Sequence, residues 1–332
     1  MLIRIFRKLL VIATVLALLW FGAALVMVFF WPAPKFTHSM SGVTVNSTQA
    51  VAADPSIAAE AARFQMRDGA VLRGRRFASD APATVLFLHG VMSSSEEYLE
   101  TCRQIHDLTG AEVIALNLRG HGESDGAPGD IRYIGQYEDD VADVIATLRQ
   151  RKPGSRIILA GHSMGGGIVM RYAETHEVPA ADGYLLFAPH LGIKSPTMRT
   201  EPAQGHAAES ETLMKLNLPR TIGLVMLNAA RVRGLNGLPT LLFNVPTQYP
   251  IHTYSFRAMV SMTPVDYAAA LTADAKPLLV IVGGNDEAFH AERFASIISL
   301  HQHGQTMVIE GESHDSIVRS SAALRAASVW ML

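Results

Sequence analysis

Three observations predict an α/β fold built on a mostly parallel, doubly wound sheet. Short apolar runs at Thr84–Leu88, Glu112–Leu116, Gly183–Phe187 and Pro277–Val282 alternate with segments of helical periodicity, which is the pattern of successive βαβ units. Thr84–Leu88 is continuously apolar rather than alternating, as a strand buried on both faces of a parallel sheet must be. A further run, Ile157–Ala160, leads into Gly161-His162-Ser163-Met164-Gly165-Gly166 and then into Ile168-Val169-Met170. That is a G-x-S-x-G sequence at a strand-to-helix junction.

The elements follow in order. No residue from Leu9 to Trp31 is charged, and about 20 such residues suffice to cross a bilayer core. Arg4, Arg7 and Lys8 precede the run and Lys35 is the only base close behind it. The positive-inside rule therefore puts the N-terminus in the cytoplasm and the rest of the chain on the far side, the periplasm in a bacterium. A cleaved signal peptide also begins with positive charge, but its apolar region is about 7–15 residues and ends at a small-residue site. This run is longer and closes with Phe29-Phe30-Trp31-Pro32, aromatic residues suited to the membrane interface. Residues 1–31 are accordingly read as a retained anchor, residues 32–61 as a linker without periodicity, and residues 62–332 as one domain.

Within the domain, Arg63–Met66 and Val71–Phe77 flank Asp68-Gly69, a hairpin turn signal. After the strand Thr84–Leu88 come a helix near Glu96–Leu108, the strand Glu112–Leu116, a helix Gln136–Arg149, the strand into Ser163 with its helix, and the strand Gly183–Phe187. The alternation stops between about Leu191 and Thr263, where apolar clusters occur at Leu213-Met214, Ile222–Leu227 and Leu241–Phe243. It resumes with Pro277–Val282, a helix Phe289–Leu300, a strand Thr306–Ile309 and a closing helix Ser316–Trp330. Residues 191–263 thus form an inserted lid at the carboxyl edge of the sheet, where open α/β sheets bind ligands.

Composition narrows the function. With 49% hydrophobic and 17% charged residues the chain is apolar for a soluble protein, and its net charge of -2 gives no reason to expect nucleic acid. The single cysteine, Cys102, permits no internal disulfide and so neither requires nor excludes an oxidising compartment. His301 and His303 lie close together, but with no cysteine or third histidine on the same element they read as loop residues rather than metal ligands.

Chemistry concentrates on loops that follow strands. In the G-x-S-x-G turn the glycines remove Cβ atoms that would collide, Ser163 presents its Oγ, and the Met164 N–H at the start of a helix is free to stabilise an oxyanion. His89-Gly90-Val91-Met92 follows the strand Thr84–Leu88, and the Val91 N–H is the candidate second donor. Gly283-Gly284-Asn285-Asp286-Glu287 follows a later strand; Asp286, with Glu287 as fallback, is placed to hold an imidazole tautomer. Gly311-Glu312-Ser313-His314-Asp315 follows the last strand, and His314 has the pKa range of a general base. Among 13 histidines, His89 and His162 flank the same turns and are taken as shaping the substrate site, without a carboxylate partner in the right loop.

His89-Gly90, Leu118-Arg119-Gly120-His121-Gly122-Glu123-Ser124, the Ser163 turn, Asp286 and His314 together resemble the α/β-hydrolase superfamily, and within it the serine aminopeptidase and monoacylglycerol lipase-like (lysophospholipase) group. The resemblance runs from about Arg63 to the C-terminus. It implies an α/β-hydrolase fold, a Ser163, Asp286, His314 triad, Val91 and Met164 as the oxyanion hole, and Arg119–Ser124 as a structural loop. No metal or organic cofactor is implied, and the glycines of that loop lack the spacing of a dinucleotide site.

The expected function is that of a membrane-anchored serine hydrolase acting on a carboxylic ester, with an acylglycerol, lysophospholipid or other acyl ester as substrate and the membrane as partner. The insert's apolar residues, Leu224, Met226 and Leu227 among them, are the expected acyl-chain contacts. A serine exopeptidase is the nearer alternative, needing a carboxylate pair for which Glu201, Glu209 and Glu211 are the only glutamates of the insert. The further alternative is a binding protein on a hydrolase fold. A haloalkane dehalogenase or epoxide hydrolase would carry a carboxylate where Ser163 stands. Oligomeric state leaves no mark on the sequence.

Overall fold

A computed structural model of the chain describes residues 2–36, 57–199 and 213–332. Helix α1 (Leu2–Phe29) is followed by β1 (Glu60–Gln65), β2 (Val71–Phe77) and β3 (Ala83–Leu88), then α2 (Leu99–Thr109), β4 (Glu112–Leu116), α3 (Gln136–Arg151), β5 (Arg156–His162), α4 (Met164–Ala173) and β6 (Gly183–Phe187). The insert contributes β7 (Met214–Leu216), α5 (Leu218–Ala229), β8 (Pro239–Phe243) and β9 (Thr253–Ser255). Two short helices, α6 (Phe256–Ser261) and α7 (Tyr267–Ala273), lead to β10 (Leu278–Gly283), α8 (Ala291–Ile298), β11 (Gly304–Ile309) and α9 (Ser321–Met331).

Local chemistry sets these ends. Gly110 stops α2 in the left-handed region (φ 69°), donating its N–H to His106 O, a conformation glycine adopts without strain. Asp266 caps α7 by accepting from Ala268 N and Ala269 N, and Asn217 caps α5 by accepting from Arg220 N. The expected closing helix from Ser316 is divided: a 3-10 turn covers Ser316–Arg319, Ser320 is extended, and its side chain caps α9 at Ala323 N. The helix expected from Phe289 begins only at Ala291, because the Ala288 and Phe289 amides are held by Asp286 Oδ1 at 2.8 and 2.7 Å. The first strand starts at Glu60, inside the stretch read as linker.

The chain forms two compact units. Among the described residues, the larger is built on an eight-stranded sheet in the order β1-β2-β4-β3-β5-β6-β10-β11. The β1–β2 and β2–β4 pairs are antiparallel and the remaining pairs parallel. This is the mostly parallel sheet of the predicted α/β-hydrolase fold, and the Asp68-Gly69 hairpin is where the sequence put it. Strands β3, β4, β6 and β10 are buried over nearly their full length. The register aligns Leu88 with Gly161 and Gly283 with Ile309, so the loops after β3, β5, β10 and β11 leave from one edge. The Leu118–Ser124 loop is tied down by Arg119, whose buried guanidinium meets Asp140 at 2.6 Å and Asp68 at 3.1 Å.

While residues 191–199 and 260–263 fall in the larger unit, the smaller unit comprises α1 and the part of the insert described over 213–259. It holds an antiparallel three-stranded sheet, β7-β8-β9, with Phe243 and Tyr254 packed edge to face at 5.1 Å. Helix α1 packs along α5: a Cβ on Gly223 would lie 2.6 Å from Ala24 O and 2.8 Å from Val28 Cγ2. Only glycine permits that approach. Arg220 Nε donates to Val28 O at 3.1 Å and Arg220 Nη1 to Pro239 O at 3.0 Å, placing a cation at the carbonyl end of α1, where the helix dipole favours it.

Candidate active site

The turn between β5 and α4 sets Ser163 at φ 51°, ψ -113°, a strained conformation for a side chain with a Cβ. It is held from three sides: Ser163 N donates to Phe187 O, and Ser163 O accepts from Gly167 N and His190 N, all at 2.9–3.0 Å. A Cβ on Gly161 would fall 2.5 Å from Gly165 C, and one on Gly165 would fall 2.2 Å from Leu88 O. The two glycines of the motif are thus required by backbone contacts with α4 and with the end of β3. Ser163 is 8% exposed.

His314 Nε2 lies 2.9 Å from Ser163 Oγ, and His314 Nδ1 lies 2.9 Å from Asp286 Oδ2. Asp286 is 1% exposed, and its other oxygen accepts from Ala288 N and Phe289 N. The carboxylate is therefore fixed by the loop that carries it, and its free edge faces the imidazole. Phe289 packs edge-on against the His314 ring at 5.1 Å. Burial alone would lower the His314 pKa, but the hydrogen bond and charge of Asp286, with Asp315 and Glu287 adding, outweigh it and hold the pKa above the ordinary histidine value.

Glu287, the fallback acid, takes a different place: its Oε2 accepts from His314 N at 3.0 Å. One of the two neighbouring acids meets the ring and the other the backbone of the same histidine. Sequence gave no means to separate them, because adjacent residues differ only in the direction the loop turns them.

His89 and His162 stand beside the site but are engaged by the protein. His89 Nδ1–H donates to Gly90 O at 2.8 Å and its Nε2 accepts from Leu118 N at 3.1 Å, so the ring braces the ends of β3 and β4. Burial, with His121 nearby, lowers its pKa to about 3 and keeps it neutral. His162 Nε2–H donates to His314 O at 2.9 Å, while its Nδ1 accepts from Tyr98 Oη at 2.8 Å. Burial and the neighbouring His314 push its pKa well down. Tyr98 also accepts from Gly90 N at 3.1 Å, so one phenol links the turn after β3 to the histidine that steadies the His314 loop.

That turn stands next to the nucleophile: a Cβ on Gly90 would be 3.7 Å from Ser163 Cβ. Val91 is the next residue, and Met164, buried at the first position of α4, follows Ser163. Leu224 and Leu227 on α5 are buried and Met226 is half-buried. Glu201, Glu209 and Glu211 lie outside the described residues. Tyr98, Phe289 and Arg199, whose Nε donates to Phe289 O at 3.0 Å and to Asp286 O at 3.3 Å, were not singled out by the sequence. They carry no local motif and are recruited by tertiary contact.

Ligand atoms of His162, His314 and Asp315 lie within 4.8 Å of one another, among the described residues. Both nitrogens of both rings are already hydrogen-bonded, so this donor set does not suit an ion.

Residues 79–318 match the protein family described as serine aminopeptidase, S33. A multifunctional-autoprocessing repeats-in-toxin protein of Vibrio cholerae is 39% identical over 116 residues, 33% of this chain and 2% of that one. The monoacylglycerol lipase of Mycolicibacterium smegmatis is 31% identical over 94 residues, 28% of this chain and 33% of the lipase. This chain therefore spans from a fiftieth to a third of the length of these curated relatives. Among solved structures, a thermophilic esterase from Thermogutta terrifontis superposes with a TM-score of 0.56 over 82% of this chain and 98% of the esterase at 20% identity, a likeness of fold.

Proposed function

The chain belongs to the serine aminopeptidase, S33 family of α/β-hydrolases, and on that premise we propose that it is a serine hydrolase cleaving carboxylic esters through an acyl-enzyme on Ser163. The observation that carries this reading is the unbroken chain of hydrogen bonds from Ser163 Oγ through His314 to Asp286, each 2.9 Å. As Oγ bonds to the acyl carbon, His314 Nε2 takes the hydroxyl proton, and Asp286 stabilises the resulting imidazolium. The carbonyl oxygen becomes an oxyanion received by the Val91 and Met164 amides. Collapse breaks the ester bond and His314 returns the proton to the leaving alkoxide. Water then repeats the sequence on the acyl-enzyme, releasing the acid and restoring Ser163.

The ester reading draws support from the monoacylglycerol lipase relative, and Leu224, Met226 and Leu227 remain the proposed acyl contacts. A peptidase reading is favoured by the family's own description. Hydrolysis of p-nitrophenyl esters of rising chain length beside aminoacyl anilides decides between them: anilide cleavage exceeding ester cleavage overturns the ester assignment.

The reading includes a retained anchor with the hydrolase unit outside the cytoplasm. It is supported by one helix, Leu2–Phe29, long and apolar enough to cross a membrane, and by the glycine notch in α5 that receives Ala24 and Val28. A transient signal peptide has no need of a fitted seat. Full-length protein that sheds its first residues and leaves the membrane fraction would overturn this part.

A further inference from the structure

Helix α5 buries Gly223, Leu224 and Leu227. Each of its polar side chains is satisfied within its own unit: Arg220 by Val28 O and Pro239 O, Thr221 by Asn217 O, and Asn228 by Leu224 O and Asn236. What α5 turns outward is Leu218, Ile222 and Val225, spaced i, i+4, i+7 on one face. Helix α5 carries no acid, and the exposed Arg231 and Arg233 follow it directly.

This is the arrangement lipid demands, with polar groups spent internally and apolar groups outside. It is inverted relative to a water-facing lid helix, whose outer stripe would be charged. The stripe is also continuous with apolar surface already assigned to the bilayer: α1 packs on α5 through Ala24, Met27 and Val28, while Leu25, Val26, Phe29, Phe30 and Trp31 stay exposed.

We propose that the outward stripe of α5, Leu218, Ile222 and Val225, contacts lipid, so that α5 is a second membrane-contacting helix lying against α1 in the leaflet on the catalytic side. This rests on the anchor reading above. Arg231 and Arg233 then reach lipid phosphates at the end of the helix, their alkyl stems lying along the apolar surface. A segment inserted into the catalytic chain is thereby held at the bilayer by two helices, and the substrate class deepens to an acyl lipid of that same leaflet.

The test uses the full chain in vesicles of phosphatidylcholine and phosphatidylglycerol, with a fluorophore on Val225→Cys or Ile222→Cys. Cys102 is fully buried and stays silent. Leu16→Cys on α1 reports the anchor, and Val329→Cys on α9, 74% exposed, reports water. Retained fluorophosphonate labelling of each variant verifies folding. Doxyl-lipid quenching at 225 and 222 should exceed that at 329 by about twofold or more, with iodide quenching in the reverse order. Water-like quenching at 225 with lipid-like quenching at 16 overturns the inference and leaves the anchor standing. Water-like quenching at both removes both. A label at 225 shielded from both quenchers means that a second copy of the chain covers the stripe, which also overturns it.

Discussion

In the sheet unit, β3, β4, β6 and β10 are buried almost end to end and charges near the core are paired, as Arg119 is with Asp140. In the unit of α1 and the insert, large apolar side chains are on the outside, from Leu9 and Leu10 through Phe29 on α1, with Phe30 and Trp31 just after it, to Leu218, Ile222 and Val225 on α5. The same residue types do opposite work. One unit removes apolar surface from water by folding around it, whereas the other keeps apolar surface outside, where a bilayer can cover it. The proposed chemistry is placed in the first, because a strained turn and a buried carboxylate need a rigid frame to hold them.

If that division is right, changes in the sheet unit strike rate, and changes in the other strike stability and membrane contact. The largest effect belongs to Ser163→Ala, which should abolish fluorophosphonate labelling and cost on the order of 10⁶ in kcat for the best ester. Labelling that survives removes Ser163 from the mechanism. Next comes Asp286→Asn, with a loss of about 10⁴ from the wrong imidazole tautomer. Steady-state kinetics should show Glu287→Gln far less affected, since the Glu287 carboxylate accepts from the His314 backbone amide and not from its ring.

In the other unit, Leu224→Ala should lower stability by about 2–5 kcal/mol in chemical denaturation, as buried leucines do. Combined with Leu227→Ala it also probes the acyl contacts. A loss confined to long-chain esters favours substrate contact, and an equal loss on acetyl esters favours packing alone. Gly223→Val should cost about 1–3 kcal/mol by overpacking the seat of α1, seen as a lowered Tm in detergent, with fluorophosphonate labelling intact.

The smallest effect is a displacement along the pH axis. His314 must be neutral to accept the Ser163 proton, and its pKa is raised, so kcat/KM should rise with pH through a midpoint above about 6.5, the ordinary histidine value. Removing the Asp286 charge favours the neutral ring, so the residual activity of Asp286→Asn should titrate at lower pH than wild type. A midpoint that stays put would mean that the acid limb belongs to another group.

Several features were settled by sequence alone, because each is local. Apolar runs of strand length between helical segments prescribe a parallel sheet, a G-x-S-x-G junction prescribes its own backbone contacts, and an uncharged run from Leu9 to Trp31 prescribes a helix able to span a bilayer. The order of Ser163, Asp286 and His314 followed from the loops they occupy. Tertiary structure decided the rest, since it depends on groups far apart in the chain. Asp286 rather than Glu287 faces the imidazole because Ala288 N and Phe289 N turn one carboxylate oxygen inward. His89 and His162 became braces because Leu118 N, Tyr98 and His314 O occupy their nitrogens. The pairing of α1 with α5 joins Ala24 to Gly223, and no periodicity in either segment announces a partner so distant in sequence.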